Sequence, residues 1–187
     1  MTIPPANNIL IVGNRETGKT TYIYRVMGEV YSPLSVHNYP ENDTSPLVVY
    51  NINESTRVIE LNDSCITLVP DQYAPFITKI LVFGSFDDED SLYDVRFHVN
   101  NHVYLNVPID IVINKKDLRD IASSSAIESL NMIDTTQHTI HYISAKYDGN
   151  ILDLFQPPNS GTDVSDSGAS THIISGLSRA SGWIIRL

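Results

Sequence analysis

The stretch GNRETGKT (13–20) sets Gly13, Gly18, Lys19 and Thr20 at the G-x-x-x-x-G-K-[ST] spacing of a phosphate-binding loop. Each part has a task. The glycines let the backbone wrap closely around phosphate oxygens. The loop N–H groups and the start of the next helix supply positive potential. Lys19 reaches the terminal phosphates, and Thr20 offers its hydroxyl to Mg²⁺. Asn14, Arg15, Glu16 and Thr17 fill the loop and Thr21 follows it, so all five are candidate contacts. Two later stretches address the base: NKKD (114–117) and SAK (144–146). A carboxylate in the base plane accepts both the ring N–H and the exocyclic amine of guanine. Adenine lacks that donor pair, so Asp117 is expected to select guanine. Asn114 would brace the loops, the stem of Lys115 would lie over the base, and the Ala145 N–H would meet the guanine carbonyl. Ser144 and Lys146 flank that last contact.

These residues need elements to hold them. NILIVG (8–13) is a short apolar run ended by glycine, the pattern of a buried parallel strand. GKTTYIYRVMGEV (18–30) reads as the helix that the loop opens. Residues 31–46 are rich in Pro, Asn and Asp and read as a loop. LVVYNI (47–52) and RVIELN (57–62) read as an antiparallel hairpin. ITKILVFG (77–84), VPIDIVIN (107–114) and HTIHYIS (138–144) read as further strands. Helices are expected over 87–103, with an acidic first turn, and near 125–133, where Ser125 and Glu128 suggest a capping box. GNILDLF (149–155) reads as a short last helix stopped by Pro157 and Pro158. The alternation predicts an α/β fold: a mostly parallel six-stranded sheet with one antiparallel hairpin strand and helices on both faces. NKKD and SAK then both fall at the carboxyl ends of strands.

The 187 residues suit one domain, expected over 1–156. Residues 157–187 form a Ser/Gly-rich tail, expected to be flexible, that turns apolar again in GWIIRL. A formal net charge of −10 argues against nonspecific nucleic-acid or anionic-membrane binding, yet allows phosphate bound by backbone N–H groups. Cys65 is the single cysteine and fits a reducing compartment. With no signal peptide, membrane span or lipidation motif in view, a soluble protein of the cytoplasm or nucleus is expected.

GNRETGKT, NKKD and SAK, in this order and at these separations, resemble the Ras superfamily of small GTPases over about residues 7–155. Within it, TGKTTYIYR (17–25), GEV (28–30), PLVVYNIN (46–53), DQY (71–73) and HYISAKYDGN (141–150) are similar to the Ran branch. The resemblance implies the P-loop NTPase, small G-protein fold and a GTP/GDP- and Mg²⁺-binding switch acting through regulatory or effector proteins, nuclear-transport factors among them. The basic patch of the Ran branch before the last strand and its acidic C-terminal ending are not matched; this chain reads IDTTQHTIH (133–141).

The hydrolytic parts depart from the family. Its switch I threonine falls near Tyr39, with Thr44 and Ser35 as alternatives. Asp63 resembles the aspartate of D-x-x-G and is a second candidate Mg²⁺ residue beside Thr20, but SCI follows it without a glycine. Gln72 lies beyond the catalytic glutamine position, and Arg15 stands where the family carries a glycine. Slow or absent GTP hydrolysis is therefore expected, with no catalytic residue assigned. The alternative is a pseudo-GTPase, a scaffold or decoy for partners of Ran- or Ras-type GTPases. An ATP-using kinase with the same loop is disfavoured by Asp117 and Ala145. Tyr31 sits where the family stacks an aromatic edge-on to guanine. His98 and His102, at i,i+4 spacing, read as a surface pair, and DDED (87–90) as a solvated helix start.

Overall fold

The structure is a computed structural model that describes residues 7–28, 47–61, 69, 73–148, 152–155 and 183–185. Its sheet contains β1 (Asn7–Gly13), β2 (Leu47–Asn51), β3 (Thr56–Leu61), β4 (Lys79–Ser85), β5 (Ile109–Asn114), β6 (Thr139–Tyr142) and β7 (Trp183–Ile185). The order across the sheet is β2-β3-β1-β4-β5-β6-β7. The five inner strands are parallel, while β2 runs antiparallel to β3 and β7 antiparallel to β6. The α/β architecture and the hairpin follow the sequence pattern. The strand count is corrected from six to seven, because part of GWIIRL pairs with β6, its Ile184 opposite His141.

Both faces of the sheet are covered. Along β1, Leu10 and Val12 point to one side and Ile9 and Ile11 to the other, all at most 2% exposed. An uninterrupted apolar run is what a strand buried on both faces requires. Helix α1 (Lys19–Val26) packs Tyr22, Ile23 and Val26 against the Ile9–Ile11 face. Helices α2 (Glu89–His102) and α3 (Ser124–Leu130) pack Leu92, Val95, Val99, Ala126 and Leu130 against the other. The expected last helix is a 3₁₀ turn, Leu152–Phe155, on the α1 side, where the Phe155 ring stacks on Tyr22 at 5.4 Å. Each fully buried side chain of this size contributes about 1.5–3 kcal/mol.

Several helix ends differ from expectation. Helix α1 stops at Val26, and Gly28 follows with φ 80°. Helix α2 starts at Glu89 because the Asp88 carboxylate caps it, accepting from the Ser91 N–H. The cap of α3 is Ser123, whose Oγ accepts from the Ala126 N–H, not Ser125. Ser123 is itself held by Glu89 of α2 through its N–H and its hydroxyl, at 2.8 and 2.9 Å, a tertiary contact that outranks the local Ser125–Glu128 pattern. His98 and His102 are not a surface pair. They are 6% and 1% exposed, on the stripe of α2 that faces the sheet and the phosphate loop.

The connection from β1 leads to β3 on one side, and β4 then lies on the other side of β1. Loops leaving the carboxyl ends of strands at such a reversal open a crevice between them, the usual place for a ligand in an open α/β sheet. Residues 13–18 leave β1 at that point.

Candidate nucleotide-binding site

The phosphate loop has a backbone that only certain residues accept. Gly13 has φ 140°, and a Cβ on it would lie 2.3 Å from the Phe83 carbonyl oxygen. Gly18 has φ 88°, and its Cβ would lie 2.2 Å from Asn114 Nδ2. Glu16 adopts φ 63° without being glycine. Inside the loop, the buried Lys19 ammonium donates to the carbonyls of Gly13 at 2.9 Å and Asn14 at 2.7 Å. The Thr17 hydroxyl also donates to the Asn14 carbonyl at 2.9 Å. The loop is thus curled around its own lysine, with Arg15 and Glu16 exposed on the outside.

Asn114 joins the three motifs. It ends β5 and is 2% exposed. Its Nδ2 donates to the Thr17 carbonyl at 2.9 Å, and its Oδ1 accepts from the Ala145 N–H at 2.9 Å. Lys115, with φ 54°, sends its ammonium to the Glu16 carbonyl at 3.0 Å and to Asp87 at 2.6 Å. Burial raises the Asp87 pKa, but the Lys115 hydrogen bond, the Ser85 hydroxyl and the Lys115 charge outweigh it and hold the carboxyl below its ordinary value. Between these loops lies an open cleft of about 280 Å³, lined by Gly18, Thr21, Asn114, Lys115, Asp117, Leu118, Ser144, Ala145, Lys146 and Tyr147. Asp117 is exposed at its rim. The Ala145 N–H already has its partner in Asn114, so a base carbonyl would have to share that bond.

Thr20 turns away from this cleft, toward β3. Its hydroxyl donates to Glu60 Oε1 at 2.8 Å, and the Tyr50 hydroxyl donates to Glu60 Oε2 at 3.0 Å. Glu60 is 5% exposed. Adjacent oxygens around octahedral Mg²⁺ lie about 3 Å apart, so the Thr20–Glu60 pair has the spacing of one edge of that shell. Among the described residues, no group of three or more His, Cys, Asp or Glu side chains is placed to hold a metal. Mg²⁺ here would need phosphate oxygens to complete its shell, which suits its habit of binding through one or two carboxylates and a phosphorylated ligand.

Some expected residues cannot be placed. Tyr31, Asp63 and Gln72 lie outside the described residues, as do Ser35, Tyr39, Thr44 and Cys65. Three contributors were not read from the sequence. Glu60 is one. Asp148 is another: it accepts from the Ser144 N–H at 2.8 Å and pairs with Lys116 at 2.8 Å, so it closes the SAK loop and ties it to NKKD. A Ser followed four residues later by Asp was the only local signal. The third is the α2 pair Asp94 and His98, which holds Asn14. No described helix is long and apolar enough to cross a membrane. Comparison with protein-family models finds no match to this chain, and comparison with curated protein sequences finds none either.

Proposed function

We propose that this chain is a Ran-like guanine-nucleotide-binding protein of the P-loop, small G-protein fold, which binds GTP or GDP with Mg²⁺, hydrolyses GTP slowly or not at all, and works by binding partner proteins. One observation carries the reading. Asn114 bonds the phosphate loop through Thr17 and the SAK loop through Ala145, and the cleft beside it is lined by Gly18 and Thr21 on one side and Lys115, Asp117 and Ala145 on the other.

On this reading, the loop N–H groups and Lys19 hold the phosphates, and Asp117 meets the Watson–Crick edge of guanine. Thr20 and Glu60 would hold Mg²⁺, which neutralises phosphate charge when bound. Glu60 then does what was expected of Asp63. Hydrolysis has weaker support: Arg15 is exposed, and no described side chain is assigned to position a water.

The test is base exchange at Asp117. Wild-type protein should bind a fluorescent GDP and reject the ADP analogue by about 10⁴-fold, the scale for a site built around hydrogen bonds its competitor cannot make. Asp117→Asn exchanges one acceptor for a donor and should lose GDP while gaining xanthosine diphosphate. Single-turnover GTP hydrolysis should run below roughly 4 × 10⁻⁴ per second, the intrinsic scale of a small GTPase without its activating protein. Equal affinity for GDP and ADP would end the guanine reading.

A second reading, a nucleotide-independent scaffold for partners of such GTPases, has its own support. Lys19, Thr20 and the Ala145 N–H all have partners within the protein. No binding of either nucleotide by correctly folded protein would favour it.

A further inference from the structure

On the nucleotide-binding reading above, we propose that Asp94 and His98 of α2 are positioning residues for the phosphate loop, acting through the side chain of Asn14.

Asn14 is held at both ends. Its backbone carbonyl receives Lys19 Nζ at 2.7 Å and Thr17 Oγ1 at 2.9 Å. Its side-chain amide reaches the other way, to α2: Nδ2 donates to Asp94 Oδ2 at 2.8 Å, and Oδ1 meets His98 Nε2 at 3.0 Å. The chemistry fixes the orientation. An ionised carboxylate only accepts, so Asn14 must turn its NH₂ to Asp94 and its oxygen to His98. His98 Nε2 is therefore the donor and carries the proton. One turn later, His102 Nδ1 donates to the His98 carbonyl at 2.7 Å. Burial lowers the His102 pKa further than that hydrogen bond raises it.

Asp94 and His98 share one face of α2 at i,i+4 spacing, and together they grip both ends of a planar amide. That leaves Asn14 one orientation, and with it one position for the carbonyl on which the Lys19 ammonium rests. A phosphate-binding lysine works only where its head group lies, so α2 sets the reach of Lys19 without touching the ligand. Arg15 and Glu16, the next two residues of the loop, are exposed, whereas the Asn14 amide is gripped from α2.

The experiment uses full-length protein loaded with mant-GDP, read by its release rate and by the ³¹P shift of the bound β-phosphate. His98→Leu removes the donor. It should speed release about ten-fold, the effect of one lost hydrogen bond of this kind, and move the ³¹P line. His98→Gln places an amide N–H near the Nε2 position and should restore both readouts, which a purely structural role for the ring would not predict. Asp94→Ala serves as the second variant if His98→Leu folds poorly, with the same expected direction. In an Asn14→Ala background, His98→Leu should add less than about two-fold, because the coupled pair is already broken. Wild-type release and ³¹P shift in both His98→Leu and Asp94→Ala would overturn the proposal and leave the nucleotide-binding reading intact. Failure of wild-type protein to hold mant-GDP would remove both.

Discussion

Replacing Asn114 by alanine tests the brace on which the site depends. The change strands two polar groups, the Thr17 carbonyl and the Ala145 N–H. Both belong to buried residues, 0% and 2% exposed, so water does not readily replace the lost amide. Each stranded group costs about 1–3 kcal/mol, giving about 2–6 kcal/mol in all with about 4 as the central value. That is a large part of the roughly 5–15 kcal/mol that holds a domain folded. With a urea slope of about 2.5 kcal/mol per molar, the midpoint should fall by about 1.5 M at unchanged slope. Asn114→Asp refines the test. It keeps an acceptor for Ala145 but turns an oxygen toward the Thr17 carbonyl. Burial and that carbonyl favour the protonated acid, so its folded pKa should rise above the unfolded value of about 4. Between those two values the folded state binds more protons, and stability must fall as pH rises. The aspartate variant should therefore gain stability from about pH 7 to about pH 5 relative to wild type. A loss below about 0.5 kcal/mol in Asn114→Ala, or a flat pH profile for Asn114→Asp, would refute the brace.

Three other outcomes are expected. Asp110 pairs with Lys79 at 2.8 Å and lies 3.3 Å from His141 Nε2, and although burial raises its pKa, these two neighbours hold the carboxyl below its ordinary value. Its stabilising contribution is present above that value and lost as pH falls through the lower folded pKa, so Asp110→Asn should be destabilised near about pH 6 and match wild type near about pH 2 in chemical denaturation. Gly13→Ala places a Cβ 2.3 Å from the Phe83 oxygen at a φ of 140°, and should cost at least about 2 kcal/mol in thermal unfolding. Glu60→Gln removes the charge that faces Thr20, and should raise the Mg²⁺ concentration needed for half-maximal nucleotide retention by about ten-fold, measured by titration against EDTA.

What could be read in advance followed the range of the contacts. The β1–loop–α1 unit and the β2–β3 hairpin are written in neighbouring residues, and pattern alone located them. The cap of α3 was misread because Ser123 is chosen by Glu89, thirty-four positions away in sequence, over the local candidate Ser125. The i,i+4 spacing of His98 and His102 put them on one face but carried no mark of which face is buried. Glu60 looked like one more strand residue, since its partner Thr20 approaches only after α1 folds back on β3. The pairing of β7 with β6 spans the whole tail and leaves no local signal. Asp117, Lys115 and Ala145 were marked by motif, but the motif did not show that the Ala145 N–H is held by Asn114.

The Asn114–Thr17 bond also sets an order of events. It joins residues 97 apart, and the strand that carries Asn114 reaches β1 only through β4. The phosphate loop is made early in synthesis, yet its last restraint arrives with β5, and the SAK loop joins later still. Contacts of such long separation form slowly, because loop-closure entropy is lost before they reward it. A nascent chain that ends before β5 thus carries the whole GNRETGKT sequence without the geometry to use it. The site matures late, after β6 has been made and with only β7 of the sheet still to pair.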